Sequence, residues 1–546
     1  MHTSKNHRIP NCSHKSFEQS VEEPESYYWP PIQNLEHRTS SDEVSQGIHL
    51  SAHAFGQYCT LESSSKTNCN PVHNTSSSVS FSSDGSPESQ QDAQSYPLDK
   101  HYYPDNACAS PPSQSCLTDD IDDLRHKIRE LETAMLGTDS EILDTFTVTN
   151  EVGSYAQSLQ AESWRQIAEM ITRGDLKGVL CACVKALADN DMVTTEWLIT
   201  ELRQMVSVSG EPLQRLGAYI LEGLVARLAS SGSSIYKALR CKEPAGAELL
   251  SYMHLLYEVC PYFKFGYMSA NGAIAEAVKD ESMVHIIDFQ IAQGTQWIIL
   301  IHALATRPGG PPRIRITGID DSTSAYARGG GLDVVGQRLS SIAKSCKVPF
   351  EFHGVGISGS EVQLEDLRIQ PGEALAVNFA LMLHHMPDES VSSQNHRDRL
   401  LRLVKSLSPK VVTLVEQECN TNTAPFFPRV LETLNYYMAV FESIDVAMPR
   451  DKRERISVEQ HCLAREIVNI IACEGAERVE RHEPLGKWRS RFMMAGYTPY
   501  PLSSIVNATI KALLKNYSEN FTLEERDGAL YLGWMNKALV TSCAWR

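Results

Sequence analysis

The chain has 546 residues, 42% of them hydrophobic, and a formal net charge of -17 from 67 Asp and Glu against 50 Lys and Arg. So acidic a chain repels a phosphate backbone unless a local basic face overrides the average, which speaks against autonomous high-affinity DNA binding. No apolar run reaches the ~18 residues of a membrane helix, and the 14 cysteines contain no CxxC pair, so no membrane span, disulfide framework or metal site is expected of a soluble, intracellular chain.

Residues 1–118 are rich in Ser, Asn, Gln, Pro, His and Tyr, with runs such as Ser63–Ser65 and Ser76–Ser78 and no hydrophobic period. Such a segment buries too little apolar surface to offset its conformational entropy, so a disordered arm is expected. Tyr27–Trp29 and Phe55–Cys59 are aromatic islands within it, either docking motifs or incidental. Residues 119–136 read as a short heptad helix on Ile121, Leu124, Ile128, Leu131 and Met135, ended by Gly137. Two heptads are marginal alone, so a dimer seam and a helix packed on its own domain both stay open.

From about Trp164 to Leu239 the period is helical. One stripe runs through Leu176, Leu180, Val184 and Leu187, a second through Trp197, Leu198, Leu202 and Met205, a third through Leu213, Leu216, Ile220, Leu224 and Leu228. Breakers at Asp189–Asp191, Gly210–Pro212 and Ser230–Gly232 separate them, as in a helical bundle. Such stripes are usually core. The alternative is a partner-binding face on Leu213, Leu216, Leu224 and Leu228.

From about Met283 short apolar runs alternate with helical periods. Strands are predicted at Val284–Phe289, Arg313–Ile319, Phe350–Val355, Ala374–Phe379 and Val411–Val415. Helices on Trp297 to Leu304, Leu332 to Ile342 and Leu400 to Leu407 intervene, and Leu530–Trp534 and Leu539–Trp545 add strands or a hairpin. Strands that are apolar throughout and alternate with helices imply a parallel sheet covered on both faces: a doubly wound α/β core behind an N-terminal helical cap.

The run Val284, His285, Ile286, Ile287, Asp288 resembles the motif that names the VHIID region of the plant GRAS family of transcriptional regulators. The resemblance runs from about Arg165 to Arg546. Leucine-rich region I, with the helical cap, falls at about 165–240, the VHIID region at 250–320 and leucine-rich region II at 332–367. A PFYRE-like region at 374–475 carries Leu407-Ser408-Pro409, Tyr436-Tyr437 and Arg465-Glu466. A SAW-like region at 476–546 carries Trp488-Arg489, Leu532-Gly533-Trp534 and Ser542-Cys543-Ala544-Trp545, where Cys543 splits the Ser and Ala of the name. Gln57–Ser63 and Ile121–Leu136 resemble the branch named for phytochrome A signal transduction, also called scarecrow-like. The resemblance implies a methyltransferase-like Rossmann core and a nuclear regulator that acts without a cofactor. Its partners would be other transcription factors and GRAS proteins, in homo- or heterodimers, with DNA reached indirectly. Light, hormone or stress signalling is the implied setting.

The same fold also admits an S-adenosylmethionine methyltransferase, a small-ligand sensor or a direct DNA-binding factor. A cofactor cleft would lie at Asp288, Gly294, Asp320 and Asn378, beyond the C-terminal ends of the strands. It normally needs a glycine-rich turn for close backbone approach. Here Phe289-Gln290-Ile291-Ala292-Gln293-Gly294 offers one glycine. Asp320 or Asp321 stands where a ribose-binding acid would, but farther along than the roughly 20 residues typical of dinucleotide folds. The GxGxxG at Gly354, Gly356 and Gly359 follows the third strand and reads as a loop. Gly329–Gly331 precedes a helix without the Lys-Ser/Thr of a phosphate loop. His384-His385 suits acid–base work, a metal, or ordinary hydrogen-bonded loop histidines, with no third ligand identifiable. Arg450–Arg455 is the one notable basic cluster, diluted by Asp451 and Glu454: a nuclear-import signal, the rim of a DNA groove, or a solvated turn. Trp488, Trp534 and Trp545 are partner anchors or core.

Overall fold

The computed structural model describes residues 148–229, 246–321 and 331–546. The arm of 1–118, the heptad helix of 119–136, the breaker at Ser230–Gly232 and the Arg328–Gly330 part of the glycine loop lie outside the described residues. The described residues fall into two compact units that divide between Glu162 and Ser163.

Helix α1 (Val148–Arg173) starts well before Trp164, where the hydrophobic period becomes readable. The breakers that punctuate the following helices are caps. The Asp175 carboxylate accepts from Gly178 N at 2.9 Å and starts α2 (Leu176–Ala188). Asp191 accepts from Thr194 N at 3.1 Å and starts α3 (Met192–Met205). A Glu211–Gln214 capping box and Pro212 start α4 (Pro212–Leu228). Helices α5 (Gly246–Val259) and α6 (Tyr262–Ala277) follow, in a stretch to which the sequence reading assigned no element.

The sheet core comprises β1 (Met283–Asp288), α7 (Thr295–Ala305), β2 (Arg313–Ile319), α8 (Gly331–Ser345), β3 (Phe350–Val355), β4 (Ala374–Ala380), α9 (His396–Ser406) and β5 (Val411–Gln417). After it come α10 (Phe426–Ala447), α11 (Arg453–Val458), a π turn (Glu459–Leu463), α12 (Ala464–Ala472), α13 (Leu485–Met494), β6 (Pro499–Tyr500), α14 (Ser504–Leu514), β7 (Phe521–Arg526), β8 (Ala529–Trp534) and β9 (Lys537–Trp545).

The strand order is β3-β2-β1-β4-β5-β9-β8-β7, with β6 on β9. The first five are parallel; β9, β8 and β7 continue antiparallel. This is the doubly wound Rossmann order with an antiparallel extension, the methyltransferase-like arrangement expected from the alternation of runs. Strand alternation splits the side chains between two cores. Val284 and Ile286 pack with Trp297, Leu300, Leu304 and Leu339 of α7 and α8. Ile287, Val377 and Phe379 pack on the other face with Leu400, Val404, Trp488 and Phe492 of α9 and α13. A third core joins α2, α3, α4, α6, α10 and α12 as the helical cap. There a Cβ on Gly223 of α4 would lie 2.9 Å from Ile471, so only glycine lets α4 and α12 come this close. No helix among the described residues is long and apolar enough to cross a membrane.

Candidate functional site

Between β1 and β4 the winding of the sheet reverses, and ligands of open α/β sheets sit in the crevice beyond such a point. Asp288 ends β1 there, in register with Gly318 of β2 and Asn378 of β4. Its carboxylate is buried and already engaged. Oδ2 accepts from Trp297 Nε1 at 2.7 Å, and Oδ1 accepts from Gln290 N and from Asn378 Nδ2, each at 3.2 Å. Asn378 Nδ2 also donates to Gln296 Oε1 at 3.1 Å, and its Oδ1 accepts from Thr413 Oγ1 at 2.8 Å. Gln296 Nε2 donates to Asn271 Oδ1 at 3.2 Å, and Asn271 Nδ2 returns a bond to the Gln296 carbonyl at 2.8 Å. The chain of bonds therefore runs from α6 through α7, β1 and β4 to β5.

Burial pushes the Asp288 carboxyl up to about 6, against the pull of its three donors, and Asp320 nearby adds to the rise. The Tyr267 hydroxyl is pushed upward by burial and by Asp288. The turn after β1 is held shut by its own backbone. Phe289 N donates to Asn378 O at 3.2 Å, and Ile291 N to Ile319 O at 3.0 Å. The Ile291 side chain fills the space a Cβ on Gly318 would need, 2.9 Å away. Gly294, at φ +70°, caps α7, and a Cβ there would stand 3.0 Å from Val335.

Among the described residues, a cleft of about 50 Å³ lies beside Asp288, Gln293 and Gly294, walled by Met253, Tyr257 and Tyr267. Pockets for drug-sized ligands measure about 300–1,000 Å³. Among the described residues the space is small, three of the carboxylate's roughly four acceptor positions are engaged, and Ile291 stands in the turn where a glycine would leave room. Of the four residues expected to form a cleft, Asp288 and Gly294 line it. Asn378 and Asp320 are fully or nearly fully buried and are absent from its walls. Asn271, Gln296 and Trp297 complete the network and were missed by sequence reasoning. The available signal was Trp297, since a buried indole N–H needs an acceptor.

The remaining VHIID residues are structural. His285 is buried, with Nε2 against Thr317 Oγ1 at 2.8 Å and Nδ1 against Arg315 Nη2 at 3.0 Å. Burial, then Arg315, pushes it down to about 4, while Glu373 acts in the opposite direction. Arg315 is paired in turn with Glu373, so the histidine fastens β1 to β2 and to the residue preceding β4.

The partner-binding face drawn on α4 is corrected in part: Leu216 and Leu224 are sealed in the cap core at 0% exposure, and Leu213 and Leu228 are half-buried against it. Burial of that stripe between α4, α10 and α12 is the physical reason. The basic run is a solvated turn from Arg450 to Glu454, all exposed, and departs from that reading at Arg455. Arg455 is fully buried on Glu459 at 2.5 Å, and Arg450 pairs with Asp445 and Glu211. Trp488, Trp534 and Trp545 are core, with Trp545 stacked on Phe492 at 5.0 Å. Cys543 is buried beside Trp545, packing as a small apolar residue would. Gly354 lies within β3 against Leu332, and Gly356 and Gly359 lie in the loop beyond. The His384 and His385 rings lie 4.0 Å apart; His384 joins Glu416, Glu480 and His482, a group that sequence spacing did not bring together, and the His385 side chain is 40% exposed.

The profile of the GRAS domain family matches residues 176–546. The chain is 69% identical over 433 residues to the Scarecrow-like transcription factor PAT1 of Arabidopsis thaliana, covering 79% of this chain and 88% of the relative. It is 64% identical over 506 residues to Scarecrow-like protein 5 of the same plant, covering 91% and 84%. Among solved structures it resembles SCL7 of Oryza sativa, at 36% identity and a TM-score of 0.61, over 68% of this chain and 99% of that one.

Proposed function

The chain belongs to the GRAS domain family, and from that premise we propose that it is a nuclear transcriptional regulator that acts as a protein scaffold rather than as an enzyme. Kinship with a relative described as a transcription factor supports regulation. The observation that carries the non-enzymatic reading is the buried, engaged Asp288 carboxylate: Trp297, Gln290 and Asn378 donate to three of its roughly four acceptor positions at the switch point. The resemblance of the segments before the folded core to the phytochrome A branch favours a role in light, hormone or stress signalling.

Scaffolding asks for exposed anchors rather than for the sealed leucine stripe. Two exposed apolar pairs serve that reading: Met192 and Val193 at the start of α3, and Met493 and Met494 at the end of α13, exposed by 43, 72, 61 and 71%. Methionine is adaptable enough to suit several partners. Other transcription factors and further GRAS chains are the proposed partners, with DNA reached through them.

Calorimetric titration of the full-length chain with S-adenosylmethionine tests the reading. A flat titration is expected. Saturable heat that disappears in Asp288→Ala would restore the enzyme or sensor alternative.

A further inference from the structure

His384 lies in a short turn, Leu383–His385, just after β4. The extended segment that leads into α13 crosses beside it, held there by Arg481 N donating to the His384 carbonyl at 3.0 Å. In an extended segment alternate side chains share a side, so Glu480 and His482 both flank His384. One ligating atom from each of the three residues lies within 4.8 Å of the others. His384 Nε2 stands 3.6 Å from Glu480 Oε2, and His482 Nε2 stands 3.8 Å from the same oxygen. The two imidazoles stack at 4.3 Å. Exposures are 2% for His384, 8% for Glu480 and 1% for His482.

Two of these atoms, Glu480 Oε2 and His482 Nε2, have no hydrogen-bond partner. A buried polar atom left unpaired costs about 1–3 kcal/mol. Here the unpaired atoms face each other, too far apart to bond directly. Tetrahedral zinc, with bonds of about 2.0–2.1 Å, holds its ligand atoms roughly 3.4 Å apart. The two imidazole nitrogens therefore each stand close to ligand spacing from Glu480 Oε2.

The outward nitrogens point to the same conclusion. His384 Nδ1 donates to Glu416 Oε2 at 2.6 Å. His482 Nδ1 lies 3.0 Å from Thr421 Oγ1, whose hydroxyl donates to the Glu480 carbonyl at 3.3 Å. With that proton committed, Nδ1 is the donor and Nε2 presents a lone pair. Metal-bound histidines are oriented by just such carboxylate and hydroxyl partners.

We propose that His384 Nε2, His482 Nε2 and Glu480 Oε2 form a divalent-cation site suited to zinc, with water as fourth ligand. The surrounding charges are mixed. Glu416 and Glu466 face Glu480 and favour a cation, and Arg397 and Arg465 oppose it, Arg397 being itself 3.4 Å from Glu483. His385 Nδ1 lies 3.5 Å from the other Glu480 oxygen. Burial keeps His384 and His482 neutral, the form that ligates. Burial also pushes Glu480 up to about 8, so the cation enters as the carboxyl proton leaves. Bound there, the ion ties the end of β4 to the lead-in of α13.

Full-length protein loaded with zinc, dialysed and measured by mass spectrometry should hold one zinc per chain at this site. Glu480→Gln and His482→Gln should bind zinc at least about 10-fold more weakly, and Glu416→Gln about 10- to 100-fold more weakly. Cobalt substituted for zinc should show d–d absorption without a thiolate charge-transfer band. Unchanged zinc affinity in Glu480→Gln and His482→Gln, or a thiolate spectrum, would overturn the proposal. Should either variant fail to fold, crystals of the unaltered chain grown with zinc decide. An anomalous peak among His384 Nε2, His482 Nε2 and Glu480 Oε2 supports the site, and its absence there rejects it.

Discussion

A carboxyl withdrawn from water resists ionising unless donors or cations replace its hydration. Three donors at Asp288 leave it at about 6. Glu466 has less help. It accepts from the Tyr437 hydroxyl at 2.6 Å, but burial and the neighbouring Glu480 push it up to about 7 from an ordinary 4.5. The native chain keeps this proton up to about pH 7, whereas the unfolded chain releases it near 4.5. Between those values the native state binds more protons, so this group's contribution to stability falls as pH rises. Glu466→Gln retains the acceptor and removes the ionisation. In the presence of chelator, its melting temperature relative to the parent should rise from about pH 4.5 to about pH 7 and level off beyond. A difference that stays constant across that range would show that Glu466 does not titrate there.

Among the elements, the cap is locked by one arginine rather than by leucines alone. Arg215 of α4 sends Nε to both Glu459 oxygens at 3.1 and 3.2 Å, Nη1 to Asp445 at 2.7 Å and Nη2 to the Phe441 carbonyl at 3.2 Å. Asp445 and Phe441 lie on α10, and Glu459 opens the π turn between α11 and α12, where Arg455 also meets it. A π turn inside a helix re-aims side chains and often marks a constrained site. Here it accompanies the turning of Glu459 into the core. Breaking a buried pair leaves an uncompensated charge. Arg215→Ala should therefore cost about 3–5 kcal/mol, read as a lowered urea midpoint. Lys177→Ala, at an exposed position of α2, should stay within about 0.5 kcal/mol. Equal effects would show that the network contributes nothing.

For the molecule as a whole, charge decides how DNA is reached. The net charge is -17, and in the densest basic run Arg455 is buried on Glu459 and Arg450 is paired with Asp445 and Glu211, leaving Lys452 and Arg453 exposed beside exposed Asp451 and Glu454. A protein that neutralises Z phosphates shows a salt slope of about -0.9Z. Electrophoretic mobility shifts with the full-length chain alone should show no tight complex and no steep slope. Adding a DNA-binding partner should retain the chain on DNA. Nanomolar binding by the chain alone, weakening steeply with salt, would replace the scaffold with a direct DNA reader.

Much of the architecture was legible along the chain. Arg313–Ile319 and Phe350–Val355 coincide with β2 and β3 to the residue, because Pro312 and Asp320 bracket the first run and Pro349 and Gly356 the second. The glycine-poor turn after Asp288 already implied a closed crevice, since glycine alone admits close backbone approach. The breaks at Asp189–Asp191 and Gly210–Pro212 were legible too, because Asp191 and the Glu211–Gln214 box cap helices locally. Tertiary structure alone decided which face of the α4 stripe is sealed, that Arg455 turns inward onto Glu459, and that His384 meets Glu480 and His482 as well as its neighbour His385. A hydrophobic period reports that one face of an element is buried, and it reports this over a few turns. It carries no record of which distant segment supplies the partner. Glu459 for Arg215, Trp297 for Asp288 and Glu480 for His384 are set only when long loops close and every buried polar group must find a partner at the same time.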